Sequence, residues 1–433
     1  MHQARLTLPL LLLLAAAPAV RAEEPPAFPV PAALAESVEF WKRVWSEWDL
    51  GSVVLHDNAH PTIVYEVVAL PGPIEDGYSD AQREFAKARR EALSQRLAGV
   101  EVKVAAGAEL DDEEKRLVLV ITQGAGAEAI AGASERVRSQ RGLRERFANG
   151  VAASGRWLPE FKRIFRTAGL PEDLAYLPHV ESSFRADARS SVGALGMWQF
   201  MRSTGRKFLT ITPAIDERLD PVASARGAAK YLAAAYARLE SWPLAVTSYN
   251  HGVEGMSRAK ERFGTDFEAI VSDYDGKYFG FASKNFYASF VAALELAKRY
   301  ETAPPEGLSI LAPDALDRLT LDRPATALSL ARRYGVPLGE LAAINPAWTK
   351  RAVRGNATLP GGVHVWLPEG TLEKAARAKA QRSDRFHVVR AGDTLAEIAR
   401  RYEVRLDELV SRNGLTVSAV IRPGERLEIP LSR

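Results

Sequence analysis

Apolar residues recur at helical spacing along most of the chain and alternate at strand spacing in only a few short stretches. Phe40, Trp41, Trp45 and Trp48 fall on one helical face, so a packed unit is expected to begin at about Glu36. Residues 62–70 (TIVYEVVAL) are rich in β-branched side chains and predict a strand. Residues 79–97 predict a charged amphipathic helix. Residues 116–122 (RLVLVIT) predict a second strand, ended by Gly124 and Gly126. Residues 36–140 therefore read as a mixed α/β region with no chemistry of its own. From about Leu143 to Tyr300 the pattern turns almost wholly helical, with expected helices at 157–168, 172–182, 197–208, 221–239, from 243 to 250, and 285–300. Gly169 with Pro171 is a stop signal for the first of these, and Gly193 and Gly196 bracket a turn.

Beyond Pro304 and Pro305 the chain repeats itself. ARRYGV at 331–336 matches ARRYEV at 399–404, and Leu341 and Asn345 match Leu409 and Asn413 at the same offset. Each copy closes on a proline–glycine turn and a short strand. The copies span 317–368 and 386–431, and residues 369–385, rich in Ala, Lys, Arg and Gln, read as an exposed linker.

The start of the chain is of another kind. Arg5 precedes an apolar run from Leu6 to Val20, shorter than the roughly 20 residues of a bilayer span. Residues 1–22 are expected to be a secretory signal peptide, followed by a spacer with Pro25, Pro26, Pro29 and Pro31. The 433 residues contain no cysteine, which excludes disulfides, thiol nucleophiles, cysteine-ligated metals and lipidation on cysteine. The net charge of +3 falls to +1 without residues 1–22, too balanced to argue for nucleic acid. An exported protein in the periplasm, not a lipoprotein, is the expectation.

Residues 175–204 hold the densest chemistry: AYLPHVESSFRADARSSVGALGMWQFMRST. Glu181 sits there among Leu177, Val180, Phe184 and Trp198. Burial among such side chains penalises the charged carboxylate, and a carboxyl kept protonated can give a proton to a leaving oxygen. The ordinary alternative is a solvated helix residue.

The segments Glu181-Ser182-Ser183-Phe184, Gly193-Ala194-Leu195-Gly196-Met197-Trp198-Gln199-Phe200-Met201 and Ser248-Tyr249-Asn250-His251-Gly252 together resemble the family 1 lytic transglycosylases, which share a goose-type-lysozyme-like helical fold. Residues 386–430 resemble a LysM domain, from Val388-Val389-Arg390-Ala391-Gly392-Asp393-Thr394-Leu395 to Ile421-Arg422-Pro423-Gly424. The combination is similar to the membrane-bound lytic murein transglycosylase D group. The fold class implied is multidomain and mainly α: a lysozyme-like catalytic domain at 143–302, small βααβ LysM modules, and the mixed α/β N-terminal region.

The resemblance implies cleavage of the β-1,4 bond between N-acetylmuramic acid and N-acetylglucosamine in peptidoglycan without water, leaving 1,6-anhydro ends. It implies Glu181 as the one acid/base, Ser190, Gln199, Met201, Tyr249 and Asn250 around the sugar, and no cofactor or metal. For the LysM domain it implies glycan binding through Gly392, Asp393, Thr394 and Ile421, with Asp393 or Thr394 also expected as a helix cap. Two departures stand out: Arg202 replaces a usual proline, and Ser283 replaces a usual acid in the segment before the last helix. The earlier repeat is degenerate, reading Arg323-Pro324-Ala325-Thr326 where the other has its Gly-Asp-Thr turn. The alternatives are a muramidase-type hydrolase on the same fold and an inactive peptidoglycan-binding scaffold. A zinc enzyme built on His56 and His60 is a weaker one, because the glutamate of such a pair is missing and a surface loop is expected there.

Overall fold

A computed structural model describes residues 27–383 and 386–430. The expected signal peptide, Pro25 and Pro26 lie outside them. The architecture is multidomain and mainly helical, with small sheets in the N-terminal region and in both repeats.

Helix α1 (Ala35–Ser46) buries Val38, Phe40, Val44 and Trp45. Strands β1 (Ser52–Asp57) and β2 (Val64–Ala69) pair antiparallel. Helices α2 (Asp80–Ala106) and α3 (Asp112–Ala125) follow, and β3 (Val137–Arg141) pairs with β1 on its other edge. The stretch expected as a strand at 116–122 lies inside α3. Asp111 and Glu114 form a reciprocal capping box that starts this helix, and Leu117 and Ile121, one turn apart, are its buried face. The cap and the i, i+4 pair outweigh the β-branched composition. α2 and α3 cover the three-stranded sheet around a separate core that includes Leu55, Tyr65, Leu97 and Ile121.

α1 belongs to a different core. It shares buried contacts with the helical block, and Phe28 packs edge-on against Trp242 and Phe290. Tyr287 donates to the Pro29 carbonyl at 2.8 Å. The expected proline spacer is therefore packed structure from Phe28 on, because an aromatic anchor follows the first two prolines.

The helical block runs through α4 (Arg144–Ser154), α5 (Leu158–Thr167), α6 (Pro178–Glu181), α7 (Arg202–Phe208), α8 (Pro221–Leu239), α9 (Trp242–His251), α10 (Val253–Phe263), α11 (Phe267–Asp273) and α12 (Phe281–Thr302). The expected helix at 172–182 is a 3-10 turn (Glu172–Tyr176) followed by the single turn of α6, because Pro178 supplies no backbone N–H to continue it. The helix expected at 197–208 starts only at Arg202: Gln199 holds a left-handed backbone (φ 46°), which ends any helix there. α12, buried along most of its length, is the post around which α1, α4, α6 and α9 pack.

The first repeat comprises β4 (Leu316–Thr320), α13 (Ala327–Tyr334), α14 (Leu338–Ala343), α15 (Lys350–Val353) and β5 (His364–Pro368). Residues 371–383, expected as a linker, form α16 (Thr371–Ser383). Its Ala, Lys, Arg and Gln are strong helix formers, and the Leu372 N–H is held by the Asp317 carboxylate at 2.7 Å. The second repeat is β6 (Phe386–Val388), α17 (Leu395–Arg401), α18 (Leu406–Arg412) and β7 (Arg426–Glu428). The repeat legible in the sequence is exact in its chemistry. Asn345 donates to the carbonyls of Leu341 and Trp366 and accepts from the Trp366 N–H. Asn413 does the same with Leu409 and Glu428.

Candidate active site

Glu181 closes the one-turn helix α6, whose Pro178 and His179 are buried. His179 stands behind it in an aromatic cage of Phe147, Tyr176 and Phe184, with ring centroids 5.2, 6.0 and 4.5 Å away. Burial pushes this imidazole down to about 3, so it is neutral packing and not a proton carrier. The chain then makes an unusual turn. Ser183 and Phe184 both hold left-handed backbones, at φ 50° and 56°. Two contacts fix that turn: Phe184 stacks on Phe161, and the Ser182 hydroxyl donates to the Met197 carbonyl at 2.7 Å.

The Glu181 side chain is only half-buried and reaches open space, yet protein encloses it on most sides. Among the described residues no group hydrogen-bonds its carboxylate. With nothing to stabilise the charge, burial alone pushes the carboxyl up to about 8 from its ordinary 4.5. It is a neutral acid at physiological pH. No neighbouring carboxylate contributes to the shift. Asp187, the nearest acid downstream in sequence, is exposed.

The facing wall is the segment 188–201. Gly193 (φ 92°) and Gly196 (φ 79°) supply its two glycine bends, and Gln199 (φ 46°) a third left-handed position. The Ser190 hydroxyl accepts from the Ala194 N–H at 2.8 Å and pins the first. The Gln199 amide donates to the carbonyls of Gly196 (2.7 Å) and Ala188 (3.2 Å) and pins the second. Both Gln199 protons are thus spent on the loop, and its carbonyl oxygen is the end left for a ligand. Met201 is exposed at the rim, capping α7. Trp198, fully buried against Phe161 and Phe165, anchors the segment to α5.

α9 delivers the third side. The Tyr249 hydroxyl donates to the Trp198 carbonyl at 2.9 Å, so it ties α9 to the wall and does not bond the acid. Tyr249 lies close enough for burial and the Glu181 charge to raise its phenol well above the ordinary range. Tyr231, edge-on to Tyr249 at 5.2 Å, donates to the Ser248 carbonyl at 2.7 Å. Asn250 is exposed at the end of α9, and its Oδ1 accepts from Ser283 Oγ on α12 at 2.8 Å. Ser283 therefore fills the place of the missing acid with a hydrogen-bond donor. It engages the amide oxygen, and among the described residues the Asn250 NH2 has no hydrogen-bond partner.

The structure thus brings Tyr249 beside Glu181 and ties it to the loop that carries Ser190 and Gln199, with Asn250 next to it on α9. It adds Ser182, Tyr231 and Arg218, whose guanidinium donates to the Gly193 and Phe200 carbonyls, none of which the sequence singled out as site residues, and it gives Ser283, singled out only as a departure, a bond to Asn250. Tyr231 and Ser283 had a signal: each stands on a helix adjoining the Tyr-Asn segment. Arg218 had none.

The LysM residues are placed separately. Thr394 is the cap of α17, in a capping box with Glu397. Asp393 is not; its carboxylate accepts from the Arg390 N–H at 2.8 Å and meets His387 Nε2 at 2.6 Å, which shapes the loop from inside. Gly392 (φ 92°) makes the turn, and Ile421 packs on the edge of the repeat's core. The loop expected around His56 and His60 is otherwise. His56 and Asp57 are buried at the end of β1, Asp57 is paired with Arg136 at 2.9 Å, and it accepts from Tyr65 at 2.9 Å. β1 is the central strand of its sheet and is buried from Val53 to Asp57, so burial, not exposure, governs that stretch. Among the described residues no cluster of His, Asp or Glu is arranged to hold a metal, and no helix is long and apolar enough to cross a membrane.

Comparison with known proteins finds two domain matches in the chain. Residues 161–269 match the model of the Transglycosylase SLT domain, and residues 387–430 match that of the LysM domain. The chain is 29% identical over 286 residues to "Membrane-bound lytic murein transglycosylase D" of Escherichia coli (strain K12), covering 60% of each chain. It thus spans less than two thirds of the length of that relative. It is 34% identical over 92 residues to "Putative tributyltin chloride resistance protein" of Alteromonas sp. (strain M-1), covering 21% of this chain and 44% of that one. A solved structure of an inactive mutant of the lytic transglycosylase Slt from Pseudomonas aeruginosa matches at 22% identity, covering 34% of this chain and 24% of that one, with a TM-score of 0.27, too slight to bear weight. The chain carries a transglycosylase SLT domain, which holds Glu181 and its cleft, and a LysM domain at its C-terminal side.

Proposed function

We propose that this protein is a peptidoglycan lytic transglycosylase. It cleaves the β-1,4 bond between N-acetylmuramic acid and N-acetylglucosamine and leaves 1,6-anhydro-N-acetylmuramic acid ends. The observation that carries the reading is Glu181: a lone carboxyl, enclosed, unpartnered and held neutral to about pH 8.

A two-carboxylate glycosidase needs a second acid within about 10 Å, as nucleophile or as base for water. Burial is the cause that raises Glu181, and no second carboxylate adds to its shift. One group must then serve twice. Protonated Glu181 gives its proton to the glycosidic oxygen as that bond breaks. The substrate's N-acetyl oxygen supports the positive charge developing at C1, and Asn250, its Oδ1 engaged by Ser283, orients the acetamido carbonyl through its NH2. Glu181, now ionised, is a poorly solvated and therefore strong base. It takes the proton of the C6 hydroxyl, whose oxygen closes onto C1. Glu181 ends protonated, ready for another turn, and no water enters the balance.

The LysM domain supports a wall-bound mode of action. A weak glycan-binding module on the same chain raises the effective concentration of an insoluble polymer at the cleft. An exported, periplasmic protein associated with peptidoglycan fits both domains.

Mass spectrometry of fragments released from purified wall tests the reading. Ends one water lighter than the reducing sugar are expected. Reducing N-acetylmuramic acid ends would make the protein a muramidase instead, and no release at all would leave it a binding scaffold.

A further inference from the structure

The first repeat keeps the LysM outline but does something else with it. We propose that it is a positioning module of the catalytic block, which has exchanged glycan binding for holding the active-site wall 193–201 in shape. This rests on the reading of that wall as part of a glycan cleft.

The first part of the case is the repeat's own groove. The two copies pair their strands in the same register, Thr320 with His364 and Val388 with Arg426. Counting inward along both copies makes Ala325 the counterpart of Asp393, and Leu359 the counterpart of Ile421. These positions lie on the two loops between which a LysM glycan would sit. In the first copy the loops are bonded to each other: Ala325 N–H to the Leu359 carbonyl at 3.0 Å, and Leu359 N–H to the Ala325 carbonyl at 2.9 Å. Among the described residues the second copy has no such bridge. The backbone groups a glycan would have to meet are already used, and the aspartate is an alanine.

The second part is where the repeat sits. The catalytic block's own Ala214 and Ile215 are buried in the repeat's hydrophobic core, beside Leu330 and Trp348. The segment 347–349 pairs with 214–216 as an added strand, with Asp216 N–H to the Ala347 carbonyl at 2.8 Å and Thr349 N–H to the Ala214 carbonyl at 2.9 Å. Trp366 of β5 donates its indole N–H to Asp220 at 2.8 Å. Asp220 also caps α8 through the Val222 and Ala223 N–H groups.

The segment 216–218 holds the wall in turn. Arg218 is buried, and the Asp216 carboxylate clamps one edge of its guanidinium, accepting from Nε (2.9 Å) and one Nη (2.8 Å). It donates to the carbonyls of Gly193 and Phe200, each at 3.2 Å. One guanidinium thus spans both ends of the wall that carries Gln199. Asp216 is the residue whose backbone is paired to the repeat. The route from the repeat to the wall is therefore Ala347, Asp216, Arg218, then Gly193 and Phe200, every step a hydrogen bond or ion pair. Arg218 is a positioning residue, since it touches the wall and not the substrate.

Hydrogen exchange on the full chain reads this coupling directly. Ile215→Ser removes the apolar plug, and Trp366→Phe removes only one hydrogen bond. Exchange across residues 193–201 is expected to quicken about tenfold or more in Ile215→Ser and by a smaller factor in Trp366→Phe, while α4 and α5 stay protected. Wild-type exchange at 193–201 in both variants would overturn the proposal. Hydroxyl-radical footprinting with tetra-N-acetylchitotetraose tests the lost groove. Protection is expected at 390–394 and 419–424, and protection at 322–326 and 357–362 would overturn it. Neither readout needs turnover, so a wild type that fails to cleave wall would sink the proposed function and leave these results standing.

Discussion

Replacing Glu181 with glutamine is expected to abolish release of wall fragments and, at the same time, to make the protein more stable at neutral pH. The first half follows from the chemistry. Glutamine has no acidic proton for the leaving oxygen and cannot act as the base that follows. General acid–base contributions run to about a hundredfold to ten-thousandfold, and here one group supplies both steps, so the loss is expected at the upper end. The second half follows from the same burial. The folded carboxyl titrates near 8 and the unfolded one near 4.5, so between those values the folded state holds a proton that the unfolded state releases. Stability is then full below the unfolded value and falls as pH rises toward 8. At pH 7 the native enzyme bears a penalty on the order of 3 kcal/mol, from 1.36 kcal/mol per pH unit, and the amide variant does not. Thermal melts of both proteins at pH 5 and pH 8 check it: the gap between them must widen with pH. Equal release of wall fragments by the two proteins would remove Glu181 from the mechanism.

Gly196→Ala is expected to damage the site more than any other single methyl group in the wall. Gly196 holds φ 79°, and a Cβ added there would overlap the backbone carbonyl of Arg218. That oxygen lies in the 3-10 turn Glu217–Leu219, on the same residue whose guanidinium holds the Gly193 and Phe200 carbonyls. Backbone strain of about 1–3 kcal/mol adds to the overlap. The expected result is a loss of more than about 4 kcal/mol in chemical denaturation, with activity lost alongside it. Gly193→Ala is the internal control. Its φ of 92° is just as unfavourable, but nothing lies within 4 Å of the added Cβ. It is expected to cost only the strain, about 1–2 kcal/mol, and to keep measurable activity. Similar losses for both variants would mean that the contact with Arg218 does not matter.

These two positions show what the sequence made legible. Glu181 stood out because Leu177, Val180 and Phe184 flank it in sequence, and the burial such flanks suggest is what raises its carboxyl. Gly196 was legible as a turn, and the repeat as a repeat, for the same reason: the information is local. The misreadings were of the opposite kind. α3 hid behind a β-branched run because a capping box decides where a helix starts. α16 hid because loops and exposed helices share a polar composition. Phe28 read as part of a spacer, since its partners Trp242 and Phe290 are more than 200 residues away. Arg218 could not be found at all. Its worth lies in two carbonyls on another loop, and no local pattern announces a buried guanidinium. Ser283 was visible as a departure, but its consequence, a donor aimed at Asn250, needed α9 and α12 side by side.

The central claim is that one carboxyl is kept neutral by enclosure alone. Titrating the Glu181 side chain directly, by carbon-13 NMR of selectively labelled protein with Glu181→Gln to assign the signal, tests it without any substrate. A midpoint near 8 is expected. A midpoint near 4.5, where an ordinary glutamate titrates, would contradict it and leave the cleft without its acid.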